Sequence, residues 1–401
     1  VRVLKPRRAA PSDAVRPTRA EINLEALRLN LRAVKRHAVS PQSGDAPARR
    51  AKVWAVLKAD GYGHGAPAVA RTLERAGADG FCVALLEEGV ELREAGIVAP
   101  ILVMGGQYPG AHAEVLARNL TPVVYDIGQV EAFARLVRSG DVEGPVRVHL
   151  KVDTGMARLG VTMQALPALA EALAGFPEIE VTGLMTHLAC AEIGAEATTE
   201  QMVLFDEATA LLARHGIRAP IRHAANSAAL LHEQARLDVV RPGIAIFGVS
   251  PHAPNEAEPL ASELKLVMRV RTEIVSLRDL PADAPVGYGA LFRTARKSRV
   301  ATIPMGYADG LSRGLTNRGH VLVRGRRAPI VGAVSMDMTM IDVTDIPSAT
   351  MRDEAVVLGA QEGPLGTDSI SPGEIADAIG TIPWEVLTSI SRRVPRFYRE
   401  P

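Results

Sequence analysis

Cysteine is almost absent from this chain of 401 residues. Only Cys82 and Cys190 are present, far apart in the sequence, which excludes a disulfide framework and any CxxC metal or redox site and suits a reducing cytoplasm. No metal ligand set stands out, so no metal is expected. An excess of either charge is also missing: 46 Lys and Arg stand against 45 Asp and Glu. Such a balance offers no field for gathering nucleic acid or an anionic membrane surface. Long hydrophobic runs are lacking, with nowhere the roughly 18 consecutive apolar residues of a membrane span. The first twenty residues carry six basic side chains but no apolar stretch of secretory type. A cytoplasmic protein is expected, with a small molecule as its partner. What is present is ordinary globular usage, 47% hydrophobic and 23% charged, neither disordered nor fibrous. The length leaves room for two or three domains, or for one large α/β barrel with an appendage.

Between about residues 50 and 250, short β-branched runs alternate with longer amphipathic segments, the pattern of parallel βα units. Eight candidate strands can be read: 53–58 (VWAVLK), 80–85 (GFCVAL), 100–104 (PILVM), 121–125 (TPVVY), 146–152 (VRVHLKV), 181–187 (VTGLMTH), 220–223 (PIRH) and 237–241 (LDVVR). Eight units in that length predict a closed (β/α)8 TIM barrel rather than an open doubly wound sheet, although PIRH also reads as loop. From about residue 262 the helical segments largely disappear. Strand-like runs follow instead, among them LKLVMRVRTEIVSL, SRVATIPM, HVLVRG, RAPIVGAV, MTMIDV and AVVLG, with one short helix near 372–379 after Ser371. The expected domains are a barrel over 20–255 and a C-terminal mostly β domain over 256–401, the latter joined by an N-terminal strand within 1–24. The Pro- and Asn-containing stretch 250–261 reads as their linker, and 36–51 as a polar loop.

In a parallel barrel, reactive groups gather at the carboxyl ends of the strands. Lys58 closes the first run, Lys151 with Asp153 and Arg158 the fifth, and His187 the sixth. His223, Asn226 and Ser227 follow the seventh, and Arg241 ends the eighth. Any one alone is an ordinary satisfied polar group at a strand mouth. Five endings aimed at one rim point to a site. An amine that ends a buried strand is partly desolvated, so its pKa falls and it is suited to forming a Schiff base with an aldehyde. The following ADGYGHGA also satisfies G-x-G-x-x-A at Gly61, Gly63 and Ala66, a weak form of the dinucleotide turn. Tyr62 and His64 place bulk where a pyrophosphate turn needs small residues.

These runs together resemble the alanine racemase family, whose pyridoxal-phosphate lysine motif is similar to AVLKADGYGHGA. The likeness extends in order through HLKVDTGMARLG, THLA, HAANSA, RPGIAIFG, VGYGALF, IPMGYADG, SMD and RVPRFY, covering about residues 20–398. The resemblance implies pyridoxal 5'-phosphate held on Lys58, which is also one of two bases, with Tyr288 as the second. It places Tyr62, Ser227, Gly243 and Ile244 around the cofactor phosphate, with Trp384 at the position of a phosphate-contacting tyrosine, and Asn226 among the cofactor-binding residues. Arg241 is placed opposite the pyridine nitrogen, and His187 between Arg241 and the tyrosine. Arg158 and Met336 are assigned to the substrate carboxylate and Asp337 to substrate binding, with Lys151 as a lysine that can be carbamylated and then pairs with Arg158, and Tyr307 to the entry channel. It further implies a homodimer with shared sites, in which Tyr288, Tyr307 and Met336 come from the partner subunit, and a role in D-alanine supply for peptidoglycan.

Two bases flanking an α-carbon suit racemisation, because one proton leaves one face and another returns on the other. A guanidinium stays protonated and donates a hydrogen bond to a ring nitrogen without supplying a proton, whereas a carboxylate partner would suit decarboxylation. A decarboxylase or lyase on the same barrel, a cofactor-binding protein without activity, a dehydrogenase built on GYGHGA and a racemase of broader specificity are the alternatives. Three positions depart from the family pattern. Trp384 stands where a tyrosine is usual, Ser335 replaces a common cysteine, and Ala333 stands where some members carry arginine.

Overall fold

The computed structural model describes residues 15–40, 49–252 and 259–400. Residues 41–48 of the expected 36–51 loop and 253–258 of the 250–261 linker lie outside the described residues. The chain separates into two units, one of Ala26–Gly61 with Ala66–Lys265 and one of the residues up to Glu25, Tyr62–Gly65 and those from Leu266 onward.

In the first unit, eight parallel strands run Lys52–Val56, Gly80–Val83, Ile101–Val103, Thr121–Val124, Val146–Asp153, Ile179–Met185, Ile221–His223 and Val239–Val240. Each pairs with its successor up to the seventh, and the eighth pairs with the first. The ring closes where Asp238 N–H donates to Arg222 O (2.9 Å), Asp238 Oδ2 accepts from Arg222 N (2.7 Å) and Arg241 N–H donates to Ala225 O (2.9 Å). This is the expected (β/α)8 barrel, and PIRH supplies a strand. Its strands are continuous apolar runs because interior and helix layer cover both faces. Val53, Ala55, Phe81, Cys82, Ile101, Leu102, Val123 and Val124 have no exposed surface.

Helix Leu24–His37 precedes the first strand and buries Leu27, Leu31 and Val34 at helical spacing. Helix Ile127–Arg138 starts at Asp126, whose Oδ1 accepts from Gln129 N (3.0 Å), satisfying one of the unpaired first-turn N–H groups. The last crossovers are shorter. Single 3-10 turns, Ala228–Leu231, Glu233–Ala235 and Ile244–Phe247, stand where long helices would be expected. They bring the exits of the seventh and eighth strands together, with Gly243 N–H donating to Ser227 Oγ (2.9 Å). No helix among the described residues is long and apolar enough to cross a membrane.

The second unit is mostly strand, as expected. One sheet runs in the order Arg326–Pro329, His320–Val323, Glu354–Gly363, Met268–Glu273, Arg19–Asn23 and Arg396–Arg399, with Gly366–Ile370 added beside Glu354–Gly363. Arg19–Asn23 lies antiparallel to Met268–Glu273 and parallel to Arg396–Arg399. A smaller sheet holds Ser276–Leu280, Ser298–Ile303 and Thr339–Asp342. Helix Pro372–Ile379 is capped by Ser371, whose Oγ accepts from Glu374 N (3.0 Å). Two expected runs are shorter than their apolar content suggests. LKLVMRVRTEIVSL divides into Met268–Glu273 of the larger sheet and Ser276–Leu280 of the smaller, and RAPIVGAV ends as a strand at Pro329. Beyond it the backbone turns, with Val331 N–H donating to Met340 O and Ser335 N–H to Met338 O, and that loop carries Met336.

Candidate active site

Lys58 stands two residues past the end of the first barrel strand, not within it, and opens an unusual turn. Ala59, Asp60, Gly61 and Tyr62 all have positive φ, from 52° to 61°. For residues other than glycine this costs about 1–2 kcal/mol each, so surrounding bonds must hold it. They are present: Ala59 N–H donates to Glu88 Oε1 (2.7 Å), Asp60 Oδ1 accepts from Ala66 N (2.9 Å) and Gly61 N–H donates to Leu57 O (2.9 Å). The other oxygen of Glu88 accepts from Ala84 N and Leu85 N, so one carboxylate ties the exits of the first two strands. Sequence reading missed Glu88. Its position in the first turn of helix Leu86–Glu94 was the available signal.

The barrel mouth is a field of positive charge. Burial, then the charge of Arg158, lowers the pKa of Lys58, with Glu88 opposing. Lys151 is brought down to about 8 by burial and by Arg241, Arg158 and Lys58, against Asp153. Burial and the same cations push His187 down to about 3, so its imidazole is neutral near pH 7. Asp153 is occupied locally: its Oδ1 accepts from the backbone N–H groups of Gly155, Met156 and Ala157 at 2.9–3.1 Å. That clamp sets the turn leading to Arg158. A cluster of cations whose nearby carboxylates are spent on backbone amides is built for an anionic ligand.

Arg241 is 2% exposed, and burial brings its guanidinium down to about 10, still charged at neutral pH. It donates to His223 Nδ1 (2.7 Å), Thr186 O (2.8 Å) and Ala224 O (3.0 Å). Its hydrogen-bonded histidine among the described residues is His223, because residues 223 and 241 leave neighbouring strands. His187 senses Arg241 through charge alone. Its loop is held by Gln201, whose Nε2 donates to His187 O and Thr154 Oγ1, both at 3.2 Å. Ser227 Oγ accepts from Gly243 N and Ala245 N (2.9 and 3.3 Å), so backbone amides already converge on an oxygen acceptor beside Ile244. Asn226 Oδ1 accepts from Ala229 N and shapes the turn that presents Ser227. Tyr62, 6% exposed, closes the left-handed turn.

Within the second unit, Tyr307 and Met336 are neighbours. Tyr307 N–H donates to Ser335 O (3.0 Å) and Ala308 N–H to Met336 O (3.1 Å). Asp337 pairs with Arg393 at 2.7 Å. Tyr288 sits in a glycine-flanked turn and is 77% exposed, with Leu291, Tyr307, Met336 and Met338 also exposed. Trp384 lies in helix Pro383–Ser389.

A parallel barrel that delivers a desolvated lysine to a rim of cations and backbone amides defines an enzyme holding an anionic coenzyme and a small charged substrate. The family models for the alanine racemase N-terminal domain and C-terminal domain match residues 22–251 and 267–398. An alanine racemase of Sorangium cellulosum is 57% identical over 392 residues, spanning 96% of this chain and all of the relative. One of Symbiobacterium thermophilum is 44% identical, with 96% and 98% covered. Among solved structures, the alanine racemase of Streptomyces lavendulae superposes with a TM-score of 0.87 at 31% identity, covering 97% of this chain and 98% of that one. That of Bartonella henselae, solved with covalently bound pyridoxal phosphate, gives 0.83 at 30%, covering 96% and 99%. The chain belongs to the alanine racemase family, which depends on pyridoxal phosphate. The residues present fit that group: a lysine with lowered pKa, a buried guanidinium without a carboxylate among the described residues, and amides converging beside Ser227.

Proposed function

We propose that this chain is a pyridoxal-phosphate-dependent racemase interconverting L- and D-alanine, with Lys58 and the partner subunit's Tyr288 as its two bases. One observation carries the reading. Arg241 is a fully buried cation hydrogen-bonded only to neutral acceptors among the described residues, on the barrel rim that also holds Lys58. The bound cofactor supplies an electron sink for the bond to Cα. Lys58, its pKa lowered by burial, takes the α-proton from one face, and a phenol returns a proton to the other. A guanidinium satisfies the ring nitrogen without protonating it, which limits transamination and sets the reaction apart from decarboxylation. Tyr62, Ser227, Gly243, Ile244 and Trp384 would hold the phosphate, and Asn226 would line the cofactor site. Arg158 with Lys151, and Met336 with Asp337, would bind the substrate, with Tyr307 narrowing the entry.

The exposure of Tyr288, Leu291, Met336 and Met338 supports a homodimer in which this apolar face completes the other subunit's site. A cytoplasmic location and D-alanine supply for peptidoglycan follow the family. Mixing Lys58→Ala and Tyr288→Ala chains tests the shared site. Random exchange should restore about a quarter of the wild-type sites, because each heterodimer keeps one intact pair. No recovery after demonstrated exchange removes the shared-site claim, and chiral chromatography of a panel of amino acids fixes the substrate range.

A further inference from the structure

The barrel interior contains a polar core that the reaction as described does not use. Trp54 of the first strand, His149 of the fifth and His223 of the seventh belong to strands that are not all adjacent, yet their rings meet across the interior. Trp54 stacks on His149 with centroids 5.6 Å apart and planes at 22°, and lies 6.0 Å from His223. His149 Nδ1 is 2.8 Å from His223 Nε2, and His223 Nδ1 accepts from Arg241 at 2.7 Å. Room for these rings is built into the backbone. A Cβ on Gly183 would lie 2.5 Å from the His149 ring, and one on Gly80 2.8 Å from the Trp54 ring. Opposite His149 the sixth strand bulges, so that Gly183 pairs with His149 and Thr182 drops out of register.

The protons in this chain can be placed by elimination. A charged guanidinium only donates, so His223 Nδ1 is bare. A neutral His223 then carries its proton on Nε2 and gives it to His149 Nδ1, which must be bare in turn, leaving the proton of His149 on Nε2. Any other assignment sets N–H against N–H or creates an imidazole anion. Burial and the Arg241 charge keep both rings neutral, His149 down at about 3 and His223 well below its usual range. Buried polar pairs are costly where apolar packing would do.

We infer that His149, seated by Trp54 and Gly183, is a positioning residue for the racemisation: by accepting the Nε2 proton of His223 it fixes the tautomer that accepts from Arg241, and so orients the remaining guanidinium N–H groups for the cofactor's ring nitrogen. This rests on the racemase reading and deepens it. Without His149, His223 is free to place its proton on Nδ1, where it opposes an Arg241 N–H. The guanidinium then loses its side-chain partner and its fixed orientation, while Lys58 and the phosphate cradle are untouched.

Histidine-labelled protein examined by 15N NMR, with and without pyridoxal phosphate, should show His223 as the neutral Nε2–H tautomer. His149→Phe should still bind the cofactor stoichiometrically. Its absorption spectrum and the pH dependence of that spectrum should shift, kcat should fall about tenfold to a hundredfold with KM changed by less than about twofold, and pyridoxamine phosphate should accumulate faster per turnover. His149→Asn, whose amide oxygen accepts the same proton, should restore the spectrum. A wild-type His223 protonated on Nδ1 or on both nitrogens overturns the inference. So does a His149→Phe enzyme with unchanged spectrum and unchanged partition between racemisation and pyridoxamine phosphate. Should His149→Phe fail to fold, the wild-type tautomer decides alone. A wild-type protein that makes no D-alanine from L-alanine sinks the racemase reading instead, and the tautomer measurement remains valid in that event.

Discussion

Glu21 in the mostly β unit and Arg241 in the barrel are buried to nearly the same depth, 4% and 2% exposed, but their surroundings are opposite. Glu21 sits on the strand Arg19–Asn23 and is met by Arg271 (2.7 Å), Arg399 (2.6 Å), Arg269 (3.1 Å) and Arg19 (3.2 Å). Arg269, Arg271 and Arg399 come from the two strands flanking it and Arg19 from its own, so the N-terminal strand is locked to its neighbours by a carboxylate whose charge is fully matched. Arg241 meets a neutral imidazole and two carbonyl oxygens, with no carboxylate among the described residues. A buried charge without a counter-charge costs several kcal/mol. Where that cost is met by neighbouring side chains, the charge is part of the scaffold. Where it is left standing beside a rim of further cations, the missing partner is a ligand.

Substitution should separate the two cases cleanly. Glu21→Gln strands several arginines and should destabilise the protein by about 3–5 kcal/mol, while kcat per folded molecule stays near wild type. Arg241→Gln removes an uncompensated charge together with three hydrogen bonds, so stability should move by only about 1 kcal/mol. Its kcat should fall about a hundredfold or more, with pyridoxamine phosphate appearing as a side product. Urea titration and steady-state kinetics on both variants measure the crossing. If Arg241→Gln loses stability as Glu21→Gln does, with activity per folded molecule preserved, Arg241 is scaffold after all and the contrast fails.

Parts of this contrast were legible in the sequence. Parallel strands buried on both faces read as unbroken apolar runs, so all eight barrel strands could be located, and a lysine or arginine ending such a run, as at Lys58 and Arg241, stands out. Interior residues carry no such punctuation. His149 lies inside VRVHLKV, where a histidine in an apolar run gives no sign of its partners, and His223 pairs with it from a strand far along the chain. The hydrogen bond from Arg241 to His223 therefore had no signal in the sequence. The left-handed turn after Lys58 was also invisible, since Ala59 and Asp60 do not announce positive φ, and what holds them is the carboxylate of Glu88 and that of Asp60 itself. In the second unit, RAPIVGAV has strand composition throughout, and only the long-range bonds of Val331 and Ser335 turn its second half into the loop of Met336.

Acid sharpens the comparison from the other side. An unfolded histidine takes up a proton near pH 6.5, whereas His149 in the folded barrel does so only at about 3. The unfolded chain therefore binds more protons between those values, and barrel stability should fall as pH drops from about 6.5 toward 3. In His149→Phe that contribution disappears, so its stability should depend less steeply on pH over the same window. The chain has two tryptophans, and with Trp384 replaced by tyrosine the emission of Trp54 reports the barrel alone. Equal slopes for the two proteins would mean that His149 is charged in the folded state, contrary to its place beside Arg241.

The smallest expected effect concerns Trp384 itself. Its indole offers one N–H donor where a phenol would offer a hydroxyl that both donates and accepts, and the two ring systems differ in reach. If Trp384 borders the cofactor phosphate, Trp384→Tyr gains one hydrogen bond of about 1 kcal/mol. Cofactor retention should then tighten several-fold, and the rate ratio for serine over alanine should change by a similar or smaller factor as the pocket is reshaped. Equilibrium dialysis against pyridoxal phosphate and paired kinetics on the two amino acids read both quantities. If Arg241 faces the ring nitrogen and Trp384 the phosphate, Arg241→Gln should alter reaction specificity with little change in phosphate affinity, and Trp384→Tyr should do the reverse. Should both quantities stay fixed in Trp384→Tyr, the helix Pro383–Ser389 does not border the cofactor, and phosphate binding is left to the turns after the seventh and eighth barrel strands and to Tyr62.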